Sequence, residues 1–262
     1  MIINSYIFSS LDSDAQAFIT AANITDSTQK TAINQLVTDM KGYGLWSKMK
    51  AVYPFVGGTA ASHKWNLKNP LDTNAAFRLV FSGGWTHSNT GAKPNGTNAY
   101  ADTFLTSSTS LSLNNAHISY YSRTNSNLTE VEIGTASGAN ITDNGSLIEI
   151  RTAGVTYYRI NSQGTYITYN DADSRAFYVA NRTASNVING WRNGVKVATG
   201  ITASSGLSTR TFWLGAFNSS GIPYYSTKEC AFASIGDSLT DTEAANFYTA
   251  IQTFETTLVR NV

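Results

Sequence analysis

Apolar residues along this chain follow two periods. Up to about residue 52 they recur at three- and four-residue steps, and from Tyr53 they alternate with polar ones. The first period puts one stripe of a helix against a core; the second puts one face of a strand there. Ser13 and Gln16 have capping-box spacing ahead of "AQAFITAA". A second helix is expected to start near Thr25 or Asp26, because Ile33, Leu36, Val37 and Met40 fall at i, i+3, i+4 and i+7. Gly42 and Gly44 are its stop signals. "LWSKMKAVY" repeats the helical period through Leu45, Met49 and Val52, until Pro54 ends it.

Beyond Tyr53 the chain reads as short strands between turns. "AFRLVF" (76–81), closed by Gly83 and Gly84, is followed by "AYADTFL" (99–105), "HISYYSRT", "LTEVEIG", "SLIEIRT", "VTYYRIN", "GTYITYN", "RAFYVAN", "VINGWRNGVKVA", "RTFWLGAF" and "KECAFASIG". Even spacing of short strands predicts a sandwich or jelly roll, and the absence of strand–helix alternation argues against a parallel α/β sheet. Asn193-Gly194 is a type I′ hairpin signal, since both turn positions need positive φ. The expected organisation is all-β with a helical N-terminal arm: residues 1–52 form the arm, and 53–262 form an antiparallel β-sandwich ending in a helix over 240–258.

Composition narrows the function. The 262 residues include only 13% charged side chains, and the formal net charge is +1. That balance gives no electrostatic case for nucleic acid or an anionic membrane surface. Polarity comes instead from Ser, Thr and Asn. Cys230 is the one cysteine, so no intrachain disulfide is expected. "MIINSYIFSSLDSD" has no basic n-region, its apolar run is too short for a signal peptide, and no segment approaches a membrane span.

Near the end stands "GDSL", the nucleophile motif of a class of serine esterases. That chemistry needs a base histidine oriented by a carboxylate, in an α/β fold. Here the last histidine is His117, and no Asp-x-x-His follows Ser238. A structural reading uses every residue of the segment. Thr240 and Glu243 form a capping box, Asp241 suits the helix N-terminus, and Leu239 can staple onto Ala244. Ala244, Phe247, Tyr248, Ile251, Phe254 and Leu258 then share a face. Ser238 is expected to be a turn residue.

Other chemistry is sparse. His63, His87 and His117 lie in three separate segments without metal-ligand spacing, so no metal or cofactor is expected. Asn170, Asp171 and Asp173 lack the rest of a calcium loop, which leaves a solvated turn. Glu130 and Glu132 share a strand face, as a glycosidase's paired carboxylates would; the plainer reading is the wet side of a one-sided strand. The most suggestive stretch is "SGGWTHSNTGAKPNGTNAYADTFL", read as a long irregular loop. Sugars are held by aromatic faces together with amide and carboxylate side chains. Trp85, His87, Asn95, Asn98, Tyr100 and Asp102 supply that set. They are the candidate carbohydrate-binding residues, against the alternative that the aromatics pack and Asn95-Gly96 is a turn.

Three stretches, "AFITAANITDSTQKTAINQLVTDMKGYGLWSKMKAVYPFVGGTAASHKWNLKNP", "AAFRLVFSGGWTHSNTGAKPNGTNAYADTFL" and "FASIGDSLTDTEAANFYTAIQTFETTLVRNV", together resemble a family of tailed-bacteriophage virion structural proteins. The middle part, with "GWRNGVKVATG" and "FWLGAFN", resembles a concanavalin A-like or laminin-G-like jelly roll. The E-x-D-x-x-E strand of concanavalin-like glucanases is absent. The resemblance implies a non-enzymatic component of the virion, present in many copies or as a homo-oligomer. It would decorate the capsid, form a head fibre or belong to the tail, with other virion proteins as partners and host-surface glycan as a further one. A lectin-like carbohydrate-binding module is the alternative, and a glycoside-cleaving enzyme the third reading. The amphipathic helix at 28–41 is expected to cover the sandwich itself, and residues 1–12 to depend on a partner.

Overall fold

In the computed structural model, which describes residues 11–221 and 223–262, the helical period is realised where capping chemistry supports it. Helix α1 (Ser13–Ala21) is capped by Asp12, whose carboxylate accepts the Asp14 N–H at 3.0 Å. The cap therefore lies one residue before Ser13, the expected position. Helix α2 (Ser27–Gly42) is capped by Asp26, which accepts the Gln29 N–H at 2.8 Å. Its stripe of Ile33, Leu36, Val37 and Met40 is buried. Lys41 reaches back to Asp12 at 2.7 Å and Asp14 at 2.6 Å, pinning the two helices together. The partner-dependent segment expected at 1–12 lies, for residues 1–10, outside the described residues.

The helical period fails after Gly44. Trp46–Lys48 is a single 3₁₀ turn, and Met49–Tyr53 is strand β1. Met49 and Val52 face the helices while Ala51 and Tyr53 face the sandwich. A strand buried on both faces has no polar alternation, and over so few residues its apolar positions mimic a helical stripe. Two single-turn helices follow, α3 (Ala60–His63) and α4 (Ser107–Ser110), and α5 (Asp241–Thr257) closes the fold.

The first sheet runs β13 (Val195–Gly200), β12 (Val187–Arg192), β11 (Ala176–Ala184), β6 (Ala116–Ser122), β16 (Cys230–Gly236), β4 (Gly91–Pro94) and β3 (Trp85–Ser88), with β1 also paired to β16. The second runs β10 (Ile167–Asn170), β9 (Val155–Ser162), β8 (Gly145–Thr152), β7 (Ile133–Ala136), β14 (Thr211–Leu214), β5 (Tyr100–Thr106) and β2 (Val80–Ser82), with the two-residue β15 (Phe217–Asn218) beside β7. Pairing is antiparallel except between β7 and β15. Of the expected strand "AFRLVF" only Val80 and Phe81 are extended in a sheet, because Phe77 turns into the left-handed region at φ 58°. Asn193 and Gly194, at φ 49° and 74°, make the expected turn between β12 and β13.

Alternation along β11 shows how the layers stack. Phe177 and Val179 point to one side and join Ile33, Leu36, Phe247 and Phe254 of the helices. Tyr178 and Ala180 point to the other and join Ile148, Tyr158, Phe212 and Leu214 of the second sheet. The order is therefore helices, first sheet, second sheet. Each such apolar side chain, fully buried, contributes about 1.5–3 kcal/mol. Helices cover the outer face of the first sheet. The outer face of the second carries only a small apolar cluster of Val131, Ala136, Leu147 and Phe217.

Candidate functional site

The stretch from Trp85 to Asp102 is not the long irregular loop its composition suggested. It holds the β3–β4 hairpin and the start of β5. These strands are short, and small or polar residues hide their alternation. Trp85 is half-buried at the open side of the sandwich, where its ring packs on the inter-sheet core and edge-on to Phe81, with centroids 5.3 Å apart. Its indole N–H donates to the Ser82 carbonyl at 3.0 Å and the Tyr100 carbonyl at 3.3 Å. Gly215 leaves the room this ring occupies, since a Cβ there would stand 2.7 Å from it.

The two asparagines are exposed, but their side chains bond within their own turn. Asn95 Oδ1 accepts the backbone N–H groups of Thr97, Asn98 and Ala99 at 3.0, 3.1 and 3.2 Å. Asn98 Oδ1 accepts the Asn95 amide at 2.8 Å and the Gly84 N–H at 3.0 Å. Together they knit the turn before β5 and are largely committed.

Tyr100 and Asp102 belong to a different surface. Along β5, Tyr100, Asp102, Phe104 and Thr106 are half-buried and alternate with buried Ala101, Thr103 and Leu105. They point to the outer face of the second sheet. Pairing sets Asp102 between Val80 of β2 and Trp213 of β14. Tyr100 stacks on Trp213 with centroids 3.9 Å apart and planes 17° from parallel. One Asp102 oxygen accepts the Phe104 N–H at 2.8 Å, and the other has no protein partner among the described residues. A flat aromatic stack beside a carboxylate with a spare acceptor is the side-chain chemistry that holds a sugar ring. Trp213 escaped the sequence reading because it lies more than a hundred residues beyond Tyr100. Its place on the polar side of "RTFWLGAF" was the available signal.

Two of the histidines, from separate segments of the sequence, meet. His63 Nδ1 and His87 Nδ1 are 2.9 Å apart, so one donates and the other accepts. Burial, and then the proximity of His87 and Arg260, lowers the His63 pKa to about 3, and burial also lowers that of His87. The pair is neutral at ordinary pH. Among the described residues no group of three or more His, Cys, Asp or Glu could hold a metal ion. His117 is buried, with Nε2 3.0 Å from Ser234 Oγ and Nδ1 2.5 Å from the Asp237 carbonyl. Burial takes its pKa down to about 4.

Ser238 sits in the turn before α5. Its N–H donates to Asn115 Oδ1 at 2.6 Å. Thr240 and Glu243 form the expected capping box, with bonds of 3.2 and 2.7 Å, and Lys48 pairs with Glu243 at 2.6 Å.

Two carboxylate readings change. Glu130 and Glu132 are not on a wet face. Both are buried, and both meet the buried ammonium of Lys228, Glu132 at 3.1 Å. Nor are they on a strand, since both precede β7, and the lysine that meets them comes from 96 residues away in the chain. Burial is the largest influence on Glu132 and raises its pKa to about 8 against the pull of Lys228. Asp171 is likewise a buried hub rather than a solvated turn. It accepts the hydroxyls of Tyr178 at 2.6 Å and Thr156 at 2.9 Å and lies 3.3 Å from Arg192.

No family model and no curated protein matches this chain. Solved structures do. A mutant of Trypanosoma rangeli sialidase displaying trans-sialidase activity superposes with a TM-score of 0.55 at 9% identity, over 85% of this chain and 39% of that one. A NanB sialidase from Streptococcus pneumoniae gives 0.42 at 16% identity, over 62% of this chain and 27% of that one. The CBM40 domain of Ruminococcus gnavus IT-sialidase gives 0.38 at 17% identity, over 51% of this chain and 82% of that domain. The chain thus spans about a quarter of the NanB sialidase and two-fifths of the trypanosomal enzyme. At these identities the likeness is one of fold, a β-sandwich.

Proposed function

We propose that this protein is a non-catalytic, glycan-binding β-sandwich. The observation that carries the reading is the Tyr100–Trp213 stack with Asp102 beside it, on the sheet face that the helices leave uncovered. The aromatic pair supplies apolar area for a sugar's C–H face, and the free Asp102 oxygen accepts a hydroxyl. A non-catalytic role is supported by the fate of the reactive-looking groups. Glu130 and Glu132 are buried against Lys228, and His117 is enclosed beside Ser234 rather than Ser238. A shallow site gives weak monovalent binding that many copies on one particle raise by avidity. The virion setting that would provide those copies rests on the sequence resemblance alone. Glycan-array binding by the wild type, lost in Trp213→Ala and Tyr100→Ala variants that stay folded, tests the function. Binding that survives both changes refutes this site.

A further inference from the structure

A concavity lies on the side of the molecule opposite the Tyr100–Trp213 stack. It is a cleft of about 370 Å³ between the end of α1 and the segment following β1. Three walls are alanines, Ala21, Ala22 and Ala61, whose small side chains leave it open. Its volume falls in the range of small-molecule sites. Trp65 forms part of the wall. It is half-buried, with its back against the helical core. Its indole N–H makes no hydrogen bond to the described residues, although Trp85, packed in the sandwich, uses its own twice. Asn23, held at φ 51° just past the end of α1, is exposed, and its amide side chain also has no protein partner. Lys64 lies with its ammonium 4.7 Å over the Trp65 ring. Asp72 pairs with Lys64 at 2.6 Å and with Arg78 at 3.3 Å.

These groups specify a ligand. A purely apolar molecule would leave the indole N–H and the Asn23 amide without partners, which costs free energy once water is displaced. An anion would compete with Asp72 for Lys64, and a cation would be repelled by Lys64. What remains is a neutral, compact molecule with hydroxyls to accept from the indole and to pair with the amide. We propose that this cleft is a second saccharide subsite, for a neutral pyranose. It rests on the glycan-binding reading and deepens it. Lys64 lies over the Trp65 ring, so the sugar does not stack on that face. The Tyr100–Trp213 stack lies on the far side of both sheets, which are packed about 10 Å apart. No single sugar reaches both, so the protein is bivalent within one chain.

The chain has five tryptophans, hence five indole N–H resonances, and each can be assigned by substitution. D-Galactose, D-glucose, D-mannose and N-acetyl-D-glucosamine are titrated separately into the ¹⁵N-labelled protein. With at least one of them, the expected result is saturable movement of the Trp65 signal. That movement persists in the Tyr100→Ala/Trp213→Ala variant and is abolished in Ala61→Trp, which fills the cleft from an exposed position. Asn23→Ala should weaken it about ten-fold, the equivalent of one hydrogen bond. Movement of the Trp213 signal alone overturns the subsite and leaves the proposed function standing. Movement of the Trp65 signal alone upholds the subsite and removes the sheet-face site. No movement with any of the four sugars overturns the subsite, and the glycan array then decides the function separately.

Discussion

Lys228→Met isolates the energetics of the buried Glu130–Lys228–Glu132 cluster. Lys228 Nζ is fully buried between the two carboxylates. Glu130 also accepts the Ser126 hydroxyl at 2.9 Å and the Thr227 N–H at 2.5 Å, and Glu132 accepts the Ile150 N–H at 2.6 Å. Methionine matches the lysine stem but carries no charge, so the two buried acidic side chains lose the ammonium that both contact. Breaking a buried pair by removing one partner costs about 3–5 kcal/mol, a large part of the roughly 5–15 kcal/mol that holds a domain together. The cost should grow as pH rises through about 8, where Glu132 ionises beside Lys228 in the wild type but has no counter-charge in the variant. Wild-type protein should show a gentler trend of the same sign. Glu132 has a folded pKa of about 8 against an ordinary 4.5. Its contribution to stability is therefore complete below pH 4.5 and is lost as pH rises through about 8. Urea unfolding followed by tryptophan fluorescence between pH 5 and 8.5 measures both effects. Adding Glu130→Gln and Glu132→Gln to Lys228→Met should recover most of the loss, since an uncharged buried cluster avoids the desolvation penalty. A loss below about 1 kcal/mol for Lys228→Met alone, or one that does not vary with pH, would refute the buried-charge account.

Three further outcomes are expected. Arg260→Ala should destabilise by about 3–5 kcal/mol in calorimetry, because the buried guanidinium pairs with Glu255 at 2.6 Å and donates to the carbonyls of Pro54, Phe55 and Ala231. Thr240→Ala should cost about 1 kcal/mol through loss of the helix cap, whereas Ser238→Ala should cost well under ~1 kcal/mol in the same denaturant titration. Ester hydrolysis that vanishes with Ser238→Ala would contradict the turn assignment. Gly190→Ala should lower stability by about 1–3 kcal/mol, as measured by the urea midpoint, because the added Cβ would stand 2.6 Å from the Tyr158 ring.

Local chemistry was legible in the sequence, and long-range partnership was not. The α2 stripe, the Thr240–Glu243 capping box and the Asn193-Gly194 turn each follow from residues within one or two turns of each other, and each is present. β1 was misread because its two faces meet two different cores, so no polar position marks the period. The Glu130 and Glu132 spacing suggested a strand face, but both residues precede β7, and nothing near them in sequence announced the lysine that meets both. The residues read from composition as a candidate sugar-binding set do not share one surface. Tyr100 and Asp102 lie on the aromatic face, but Trp85, Asn95 and Asn98 satisfy themselves on nearby backbone or on each other. Trp213 and the His63–His87 contact depend on strand order and loop packing, which no short window of sequence encodes.

β16 has a consequence for how the protein is made. It lies at the centre of the first sheet, bonded to β6 on one side and to β1 and β4 on the other. The segment that follows it is joined to Lys48 across 190 positions of sequence. On the ribosome, β1, β4 and β6 are all exported before the strand that unites them exists. They wait with bare edges and with the apolar side chains that α5 will later cover. Such contacts close slowly, and unpaired edges in the meantime invite association with neighbouring nascent chains. Recombinant yield should therefore respond more to chaperone supply and translation speed than the stability of the finished molecule would indicate.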